Sequence, residues 1–261
     1  MARRGRTRKD RRRSRRRLTR KWRGRGGGAE PSTESPADPP TAVIVEPRQH
    51  RALPFVLRNF AANLPPEWSI LVLHGTENEA WLKGLLAAEG ELASIAPRVR
   101  LSSLGVPSLT FDDYNKMLKK PYFYEKHIPT ERFLIFQTDS MICAPHKDLL
   151  AKFMEYDYVG APWTVGGVGN GGLSLRRKSK IIEKMRACPP EDRENEDGYL
   201  GRACAAVPFK QPTDEEAREF SVEAVYSPKS WGIHKAWHHL PGKIEELEAQ
   251  CPGFKELQGL Q

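Results

Sequence analysis

The polar residues that most suggest chemistry follow the most strand-like segment of the chain. In RFLIFQTD (132–139) an apolar run ends at Gln137, and Asp139 is flanked by Thr138 and Ser140. A carboxylate between hydroxyls can hold Mg2+ or Mn2+, because these cations prefer oxygen ligands and keep positions open for phosphates. The same residues are typical of a helix N-cap or an Asx-turn. The pattern therefore indicates either a cation site or a local turn.

A glycine-rich segment, GGVGNGGLSLR (166–176), forms a second candidate site. Gly167, Gly169 and Gly172 satisfy G-x-G-x-x-G, but a dinucleotide-binding motif must follow a strand and open a helix. Here the strand-like LSLR follows, which argues against a Rossmann oxidoreductase. The segment predicts a loop that lets a substrate approach the backbone, with Asn170 presenting its amide to a hydroxyl-rich ligand, or a plain hairpin loop.

Two later clusters also combine residues that can do chemistry. Asn195-Glu196-Asp197 opens a helical stretch, where the helix dipole alone favours acids, although paired carboxylates in a cleft also supply a general base. The imidazole of His234, in WGIH (231–234), can ligate a metal, or it can lie with His238 on the surface of a short helix.

Alternating strands and helices must position these residues. The strand-like runs are AVIV (42–45), SILVLHG (69–75), RVRLSSL (98–104), RFLIFQTD (132–139) and GLSLR (172–176). Helical patterns follow most of them, at 53–60, 79–89, 112–119, 146–156, 178–186 and 196–205. This alternation predicts an α/β fold whose mixed, mostly parallel central sheet has helices on both faces. Ligands bind beyond the carboxyl ends of the strands in such sheets. Arg48 and Asn78 follow apolar runs there and could contact a base, ribose or phosphate, although Arg48 could also be a surface charge.

The net charge of +9 is unevenly distributed along the 261 residues. Residues 1–30 hold 15 basic and two acidic residues, a net charge of +13, and the remaining residues have a net charge of −4. We predict a disordered Arg-rich tail (1–28), a Pro/Ser-rich linker (29–40) and a catalytic domain (41–261). A polycation of this kind could be a nuclear localisation signal, an RNA-binding arm, a contact for membrane phosphates or a solvated extension.

Other classes of protein are excluded by composition. No stretch approaches the ~18 apolar residues of a membrane span, and no apolar signal region follows the N-terminus. The four cysteines form no C-x-x-C pair and are too sparse for a disulfide scaffold, so we expect reduced thiols. These features predict a soluble protein without a transmembrane segment, cytoplasmic or, through its basic tail, nuclear.

Taken together, the motifs resemble the A-type fold of nucleotide-sugar glycosyltransferases. They are most similar to an uncharacterised glycosyltransferase-like family, a domain of unknown function, of large DNA viruses, fungi and bacteria. The segments that carry this resemblance are AVIVEPR (42–48), LVLHGTEN (71–78), YN (114–115), FLIFQTDSMIC (133–143), YDYVGAPW (156–163), GNGGLSLR (169–176), NEDGYL (195–200), FSVE (220–223) and GIHKAW (232–237). QTDS, GNGGLSLR and NED are its most specific part.

The resemblance implies a transferase that moves a sugar from a nucleotide-diphosphate donor to a hydroxyl of a glycan, protein or lipid. Asp139 matches the D-x-D motif that binds Mn2+ or Mg2+, although Gln137 replaces the first Asp. His234 matches the histidine that completes this metal site. Glu196 or Asp197 matches the acidic pair that supplies the base in inverting members.

The remaining predicted roles concern the two substrates. Donor binding is assigned to Arg48, Asn78, Gln137, Asp139 and Ser140, and the loop for the sugars to Asn170, Gly171 and Gly172. The alternative is a fold that has lost catalysis and binds nucleic acid through the Arg-rich tail. The acidic body favours the transferase, and the single-Asp motif leaves room for the alternative.

Overall fold

The computed structural model describes residues 39–261, so the predicted Arg-rich tail (1–28) and the linker up to residue 38 lie outside the described residues. The strands of the described part are β1 (Thr41–Val45), β2 (Ser69–His74), β3 (Val99–Ser103), β4 (Arg132–Phe136), β5 (Ser140–Ile142), β6 (Tyr158–Val159), β7 (Leu173–Arg177), β8 (Ser221–Val222) and β9 (Gly232–His234). Its helices are α1 (Leu53–Asn63), α2 (Glu79–Leu86), α3 (Phe111–Leu118), α4 (Pro121–His127), α5 (Leu150–Phe153), α6 (Lys178–Ala187), α7 (Glu196–Gly201), α8 (Asp214–Phe220), α9 (Ala236–His239), α10 (Ile244–Gln250) and α11 (Phe254–Gly259).

The central sheet has six strands in the order β3-β2-β1-β4-β7-β6. The first four run parallel, whereas β7 is antiparallel to both β4 and β6. The chain moves outward from β1 to β2 and β3 on one side, and β4 returns to pair with the other side of β1. The crevice beyond the ends of β1 and β4 is therefore the switch point where α/β folds place their ligands.

Helices cover both faces of this sheet. Ala42 and Ile44 of β1 contribute to one apolar core, with residues of α1, α10 and α11, and the alternate residues Val43 and Val45 contribute to the other, with residues of α4 and α6. Because both faces are covered, the parallel strands are almost continuously apolar. The predicted α/β class, with a mixed, mostly parallel sheet and helices on both faces, is confirmed.

A second, three-stranded sheet, β5-β9-β8, lies next to the chemistry. It begins where the turn after β4 ends, and its register places Ser140 of β5 opposite His234 of β9. The backbone N–H of Lys235 also donates to the carbonyl oxygen of Asp139, at 2.8 Å. This small sheet therefore brings His234 beside Asp139, although the two are 95 positions apart in the sequence.

The prediction of reduced cysteines is wrong for this structure, which contains two disulfides, Cys143–Cys251 and Cys188–Cys204. The first joins residues 108 positions apart, so only the tertiary fold brings them together. The second closes the segment that carries Glu196 and Asp197. Neither pairing corresponds to a short sequence motif.

Several predicted helices are shorter than expected. The predicted helix at 146–156 is a 3-10 turn, Ala144–Leu149, followed by only four α-helical residues in α5. The helix predicted at 196–205 ends at Gly201, where a side chain would collide with Trp163. None of the helices within residues 39–261 combines the length and apolar character that crossing a membrane requires.

Candidate functional site

A cavity of about 500 Å3 opens at the switch point of the central sheet. Its walls come from the segments after β1 and β4, the start of α3, the glycine-rich loop, the start of α7 and the end of β9. The lining includes these predicted site residues: Arg48, Gln137, Asp139, Asn170, Gly171, Gly172, Glu196, Asp197 and His234. The fold therefore gathers in one cavity residues that are up to 186 positions apart in the sequence.

Asp139 and His234 form what we call the imidazole corner of the cavity. His234 Nε2 lies 3.1 Å from Asp139 Oδ1 and 3.3 Å from Gln137 Oε1. Burial opposes charge on His234, but Asp139 and Glu223 more than compensate and raise the pKa of its imidazole to about 9. Burial likewise disfavours the Asp139 carboxylate, but His234 and Lys235 bring its pKa below the usual value.

The imidazole corner has donor atoms that fit a divalent cation. Asp139 Oδ1 is buried without a well-aligned hydrogen bond, and it converges with His234 Nε2 and Gln137 Oε1. No group of three or more His, Cys, Asp or Glu side chains within residues 39–261 is arranged to hold a metal. Mg2+ is commonly held by one or two carboxylates together with substrate phosphates, and a cation bound here would have to displace the proton that the raised pKa keeps on His234.

Glu196 and Arg176 form a second corner of the cavity, where the Glu196 carboxylate is paired with the Arg176 guanidinium. Both side chains are almost fully buried, and Arg176 Nη1 donates to Glu196 Oε1. Arg176 also donates from Nε to Ser174 Oγ at 2.9 Å and from Nη2 to the carbonyl oxygen of Gly171 at 3.2 Å. Burial raises the pKa of the Glu196 carboxyl, and the charge of Arg176 offsets part of that rise. This position argues against Glu196 as the predicted base and favours a structural role.

Asp197, its neighbour, lies half-buried in the cavity wall. Its Oδ1 accepts a 2.8 Å hydrogen bond from the backbone N–H of Gly198, and it forms no ion pair with another described residue. Both predicted basic carboxylates line the cavity, but Asp197 is the more exposed of the two and is not already paired with a cation.

Buried lysines hold the segment that carries these acids, which we call the acid loop (189–203). Lys119 Nζ donates to the carbonyl oxygens of Glu191, Asp192 and Glu194, at 2.8, 3.0 and 2.6 Å. Lys184 Nζ donates to the carbonyl oxygen of Leu200 at 2.7 Å. Since the Cys188–Cys204 disulfide joins the two ends, the loop is fixed by covalent and polar contacts as well as by packing.

The space beside two glycines of the glycine-rich loop is occupied by protein side chains and is not available to a substrate. A Cβ atom on Gly172 would come within 2.2 Å of the His234 ring, and one on Gly171 would come within 2.7 Å of Glu196 Oε2. Both glycines line the cavity, but the room they create is filled by the two corners. Asn170 Oδ1 accepts from the N–H of Gly172 at 3.0 Å, which leaves its NH2 group for a ligand.

Arg48 lies at the mouth of the cavity, where its side chain is 62% exposed. Its Nε and Nη2 atoms donate to the two oxygens of Glu46, both at 2.8 Å. Glu46, which the sequence did not indicate, is buried and directly follows β1, so it fixes the direction of the Arg48 guanidinium. Tyr114 also lines the cavity, and burial raises the pKa of its hydroxyl, which keeps this group protonated.

Asn78 and Ser140 were predicted to bind the donor, but in the structure their side chains bond to the backbone and lie outside the cavity. Asn78 accepts from the N–H of Gly75 and donates to the carbonyl oxygens of Glu46 and Arg48, each at 2.9 Å. Ser140 Oγ donates to the carbonyl oxygen of Gln137 at 2.7 Å and is fully buried. Neither residue lines the cavity, because each side chain is used to hold the backbone of a loop.

Solved structures similar to this one include three sugar transferases. The galactosyltransferase LgtC, in complex with donor and acceptor sugar analogues, is 11% identical, and the match covers 85% of this chain and 94% of that chain with a TM-score of 0.48. The apo form of the glycosyltransferase GlyE of Streptococcus pneumoniae TIGR4 is 12% identical, with 74% and 53% of the two chains covered and a TM-score of 0.49. The mannosyltransferase PcManGT of Pyrobaculum calidifontis, with GDP-Man and Mn2+, is 12% identical, with 62% and 50% covered and a TM-score of 0.41. The chain spans about half the length of the last two.

Comparison of the sequence with protein families gives a more direct result. No curated protein matches this sequence. A family model described as a protein of unknown function (DUF5672) matches residues 105–235, which is half of the chain and includes both corners of the cavity. The chain therefore belongs to the DUF5672 family.

Proposed function

We propose that this protein is a glycosyltransferase that moves a sugar from a nucleotide-diphosphate donor to a hydroxyl acceptor, assisted by Mn2+ or Mg2+. The observation that carries the proposal is the imidazole corner, where Asp139 Oδ1, His234 Nε2 and Gln137 Oε1 converge on the cavity and Oδ1 has no well-aligned hydrogen bond. Asp197, a second reachable carboxylate, belongs to the same cavity. The cavity of about 500 Å3 is within the usual size range of small-molecule sites.

The imidazole corner is suited to the leaving group of this reaction. Asp139, His234 and Gln137 would hold the cation, which when bound supplies positive charge to the departing diphosphate as a Lewis acid. Arg48, held by Glu46 at the cavity mouth, adds a planar cation that pairs well with phosphate. In this proposal the one carboxylate of Asp139 acts together with these groups at a position where the resembled motif has two carboxylates.

The other corner is suited to the acceptor. Asp197 accepts the proton of the acceptor hydroxyl. At the same time the oxygen of that hydroxyl bonds to the sugar carbon, and the bond between this carbon and the diphosphate oxygen breaks. Glu196 does not exchange protons in this scheme, because it stays paired with Arg176. Its function is to fix the start of α7, and therefore Asp197, against the Gly171 backbone.

The test is a panel of nucleotide sugars incubated with the full chain and Mn2+, with release of the free nucleoside diphosphate measured. Water can take the place of the acceptor hydroxyl at the sugar carbon, so we expect slow release from one nucleotide class and none after chelation of the metal. Asp139→Asn is the matched variant, because it keeps the shape of the side chain and removes its charge. Release at the same rate by wild type and Asp139→Asn would overturn the assignment.

The charge of the N-terminal tail favours a second candidate function, binding of nucleic acid. The 15 basic residues within residues 1–30 would release counterions from any polyanion, so binding of RNA or DNA should weaken steeply as salt rises. Deletion of residues 1–30 should abolish this binding, and binding that survives the deletion would exclude the tail as its cause. A chain that binds nucleic acid and releases no nucleotide would favour this function over the transferase.

A further inference from the structure

One buried carboxylate beside the cavity has no role in the scheme above. Glu223 is 4% exposed and does not line the cavity, yet three basic groups surround its Oε1 atom. His234 Nδ1 is 3.4 Å away, Lys235 Nζ is 3.5 Å away and His239 Nε2 is 3.8 Å away. A buried acid that faces three basic side chains, two of them in the cavity wall, is placed to control where those side chains point.

The small sheet explains how Glu223 reaches this position. Strand β8 runs parallel to β9, with Ser221 opposite Gly232 and Val222 opposite Ile233. Glu223 is the next residue after β8, and His234 is the last residue of β9, so the register continues from one to the other. Position along the ladder, not a flexible loop, therefore sets the distance between the two side chains.

The two ring nitrogens of His234 face different partners. Nε2 points to Asp139 and Gln137 in the cavity, whereas Nδ1 lies at ion-pair distance from Glu223 Oε1 on the buried side, 3.4 Å away and without a well-aligned hydrogen bond. In metal sites, a carboxylate behind an imidazole orients the ring and fixes which nitrogen carries the proton, so that the other nitrogen presents its lone pair. Glu223 has this position relative to His234.

The backbone of Lys235 gives an independent indication that contacts around the imidazole corner hold it in place. Among residues 39–261 it is the one residue other than glycine with a left-handed backbone, at φ 34°. Such a conformation is unfavourable for a side chain and persists only where surrounding contacts require it. Here it turns the chain from β9 into α9 while the side chain lines the cavity and its Nζ stays near Glu223.

We propose that Glu223 is the positioning residue of the imidazole corner: it orients His234, and with it Lys235, so that the corner can bind a divalent cation and the anionic group that the cation carries. This inference rests on the proposed function, since it concerns the same cation. It assigns Glu223 no contact with substrate.

The experiment measures Mn2+ binding to the full chain, by the electron paramagnetic resonance signal of free Mn2+, in wild type and three variants. Glu223→Met keeps the length of the side chain without its oxygens, and we expect a 10- to 100-fold weaker Mn2+ affinity, the usual loss for such a partner. Glu223→Gln keeps an oxygen that can accept from Nδ1, so its affinity should lie between those of Met and wild type. Glu219→Gln is the control, because Glu219 pairs with Lys152 on the surface and lies outside the cavity.

The outcomes separate this inference from the proposed function. Mn2+ affinity equal to that of wild type in both Glu223 variants would overturn the inference and leave the cation site in place. Absence of saturable Mn2+ binding in wild type, both alone and with nucleoside diphosphates added, would overturn both the cation site and the role of Glu223. Thermal unfolding of each variant shows that it is folded, and if Glu223→Met does not fold, the comparison of Glu223→Gln with Glu219→Gln decides.

Discussion

The two ends of the cavity use the same chemical group in opposite ways. At the imidazole corner, Asp139 keeps an oxygen without a well-aligned partner, and its side chain is 25% exposed. At the other end, Glu196 is 5% exposed and its carboxylate is bound by the guanidinium of Arg176. A carboxylate already neutralised by a buried arginine is part of the framework, whereas one with an unused oxygen can accept a ligand. Partners and burial, more than residue type, therefore distinguish the binding acid from the structural one.

The difference between the corners predicts that Asp139 affects turnover far more than folding. Removal of its charge in Asp139→Asn should lower nucleotide release roughly 1,000-fold, since cation stabilisation of a leaving group contributes several kcal/mol. Thermal unfolding should change less than in Arg176→Met, because Asp139 is partly exposed and the ion pair that it loses with His234 is not a well-aligned hydrogen bond. A stable variant with normal release would remove Asp139 from the mechanism.

The Arg176–Glu196 pair should show the converse, an effect on folding. Arg176→Met leaves the buried Glu196 without its partner, which should lower the free energy of unfolding by about 3–5 kcal/mol. Arg176→Met combined with Glu196→Leu should recover part of that loss, because no buried charge is then left unpaired. Urea unfolding measures both. A double variant less stable than Arg176→Met alone would contradict a framework role for Glu196.

The Cys188–Cys204 disulfide provides a milder way to loosen only the acid loop. Closing a loop of this length contributes about 3 kcal/mol, so Cys188→Ala with Cys204→Ala should lower stability by roughly that amount. Mn2+ affinity should stay unchanged, because the imidazole corner is built from other segments. Equal loss of Mn2+ affinity and stability would show that the two corners are not independent.

Asp197 is expected to give the smallest of these effects. Asp197→Asn removes a base that contributes about 100-fold to transfer, the lower end of the range for proton transfer by a side chain. Release of nucleotide without acceptor should fall less than transfer to an acceptor. The measurement is the rate of nucleotide release without acceptor and the rate of transfer to an acceptor, each with the preferred donor. If Glu196→Gln lowers transfer and Asp197→Asn does not, the roles assigned to the two acids must be exchanged.

Most of the fold could be predicted from the sequence because the signals were local. The runs AVIV and SILVLHG are too apolar for a half-exposed sheet, and they form β1 and β2 of the parallel core. The helix α4 was missed, since PYFYEKH begins with proline and shows no clear apolar spacing. The antiparallel direction of β7 also has no local signal, because it depends on the path of the whole chain.

The site was predictable in composition but not in the partners of its residues. The position of Asp139 after a strand pointed to the cavity, whereas His234 was placed there only through the resemblance to glycosyltransferases. Arg176, within the apolar LSLR, was a detectable sign of a buried charge, but its partner Glu196 is 20 residues away. The structural roles of Asn78 and Ser140 depend on backbone contacts made by loops, which residue types do not reveal.

The disulfides bear on where the protein is found. Stable disulfides form mainly in oxidising compartments. Both pairs in the described residues therefore weigh against the cytoplasmic location expected from the sequence. The location of the protein stays a prediction.

The central claim is that Asp139 and its neighbours bind a nucleoside diphosphate together with a divalent cation. The most direct test is the melting temperature of the full chain titrated with nucleoside diphosphates, with and without Mn2+, in wild type and Asp139→Asn. Binding to the native state should raise the melting temperature of wild type in a saturable way, for one nucleotide and only with Mn2+. The same titration should leave Asp139→Asn unchanged. No shift in wild type with any nucleotide, or an equal shift in both proteins, would contradict the claim.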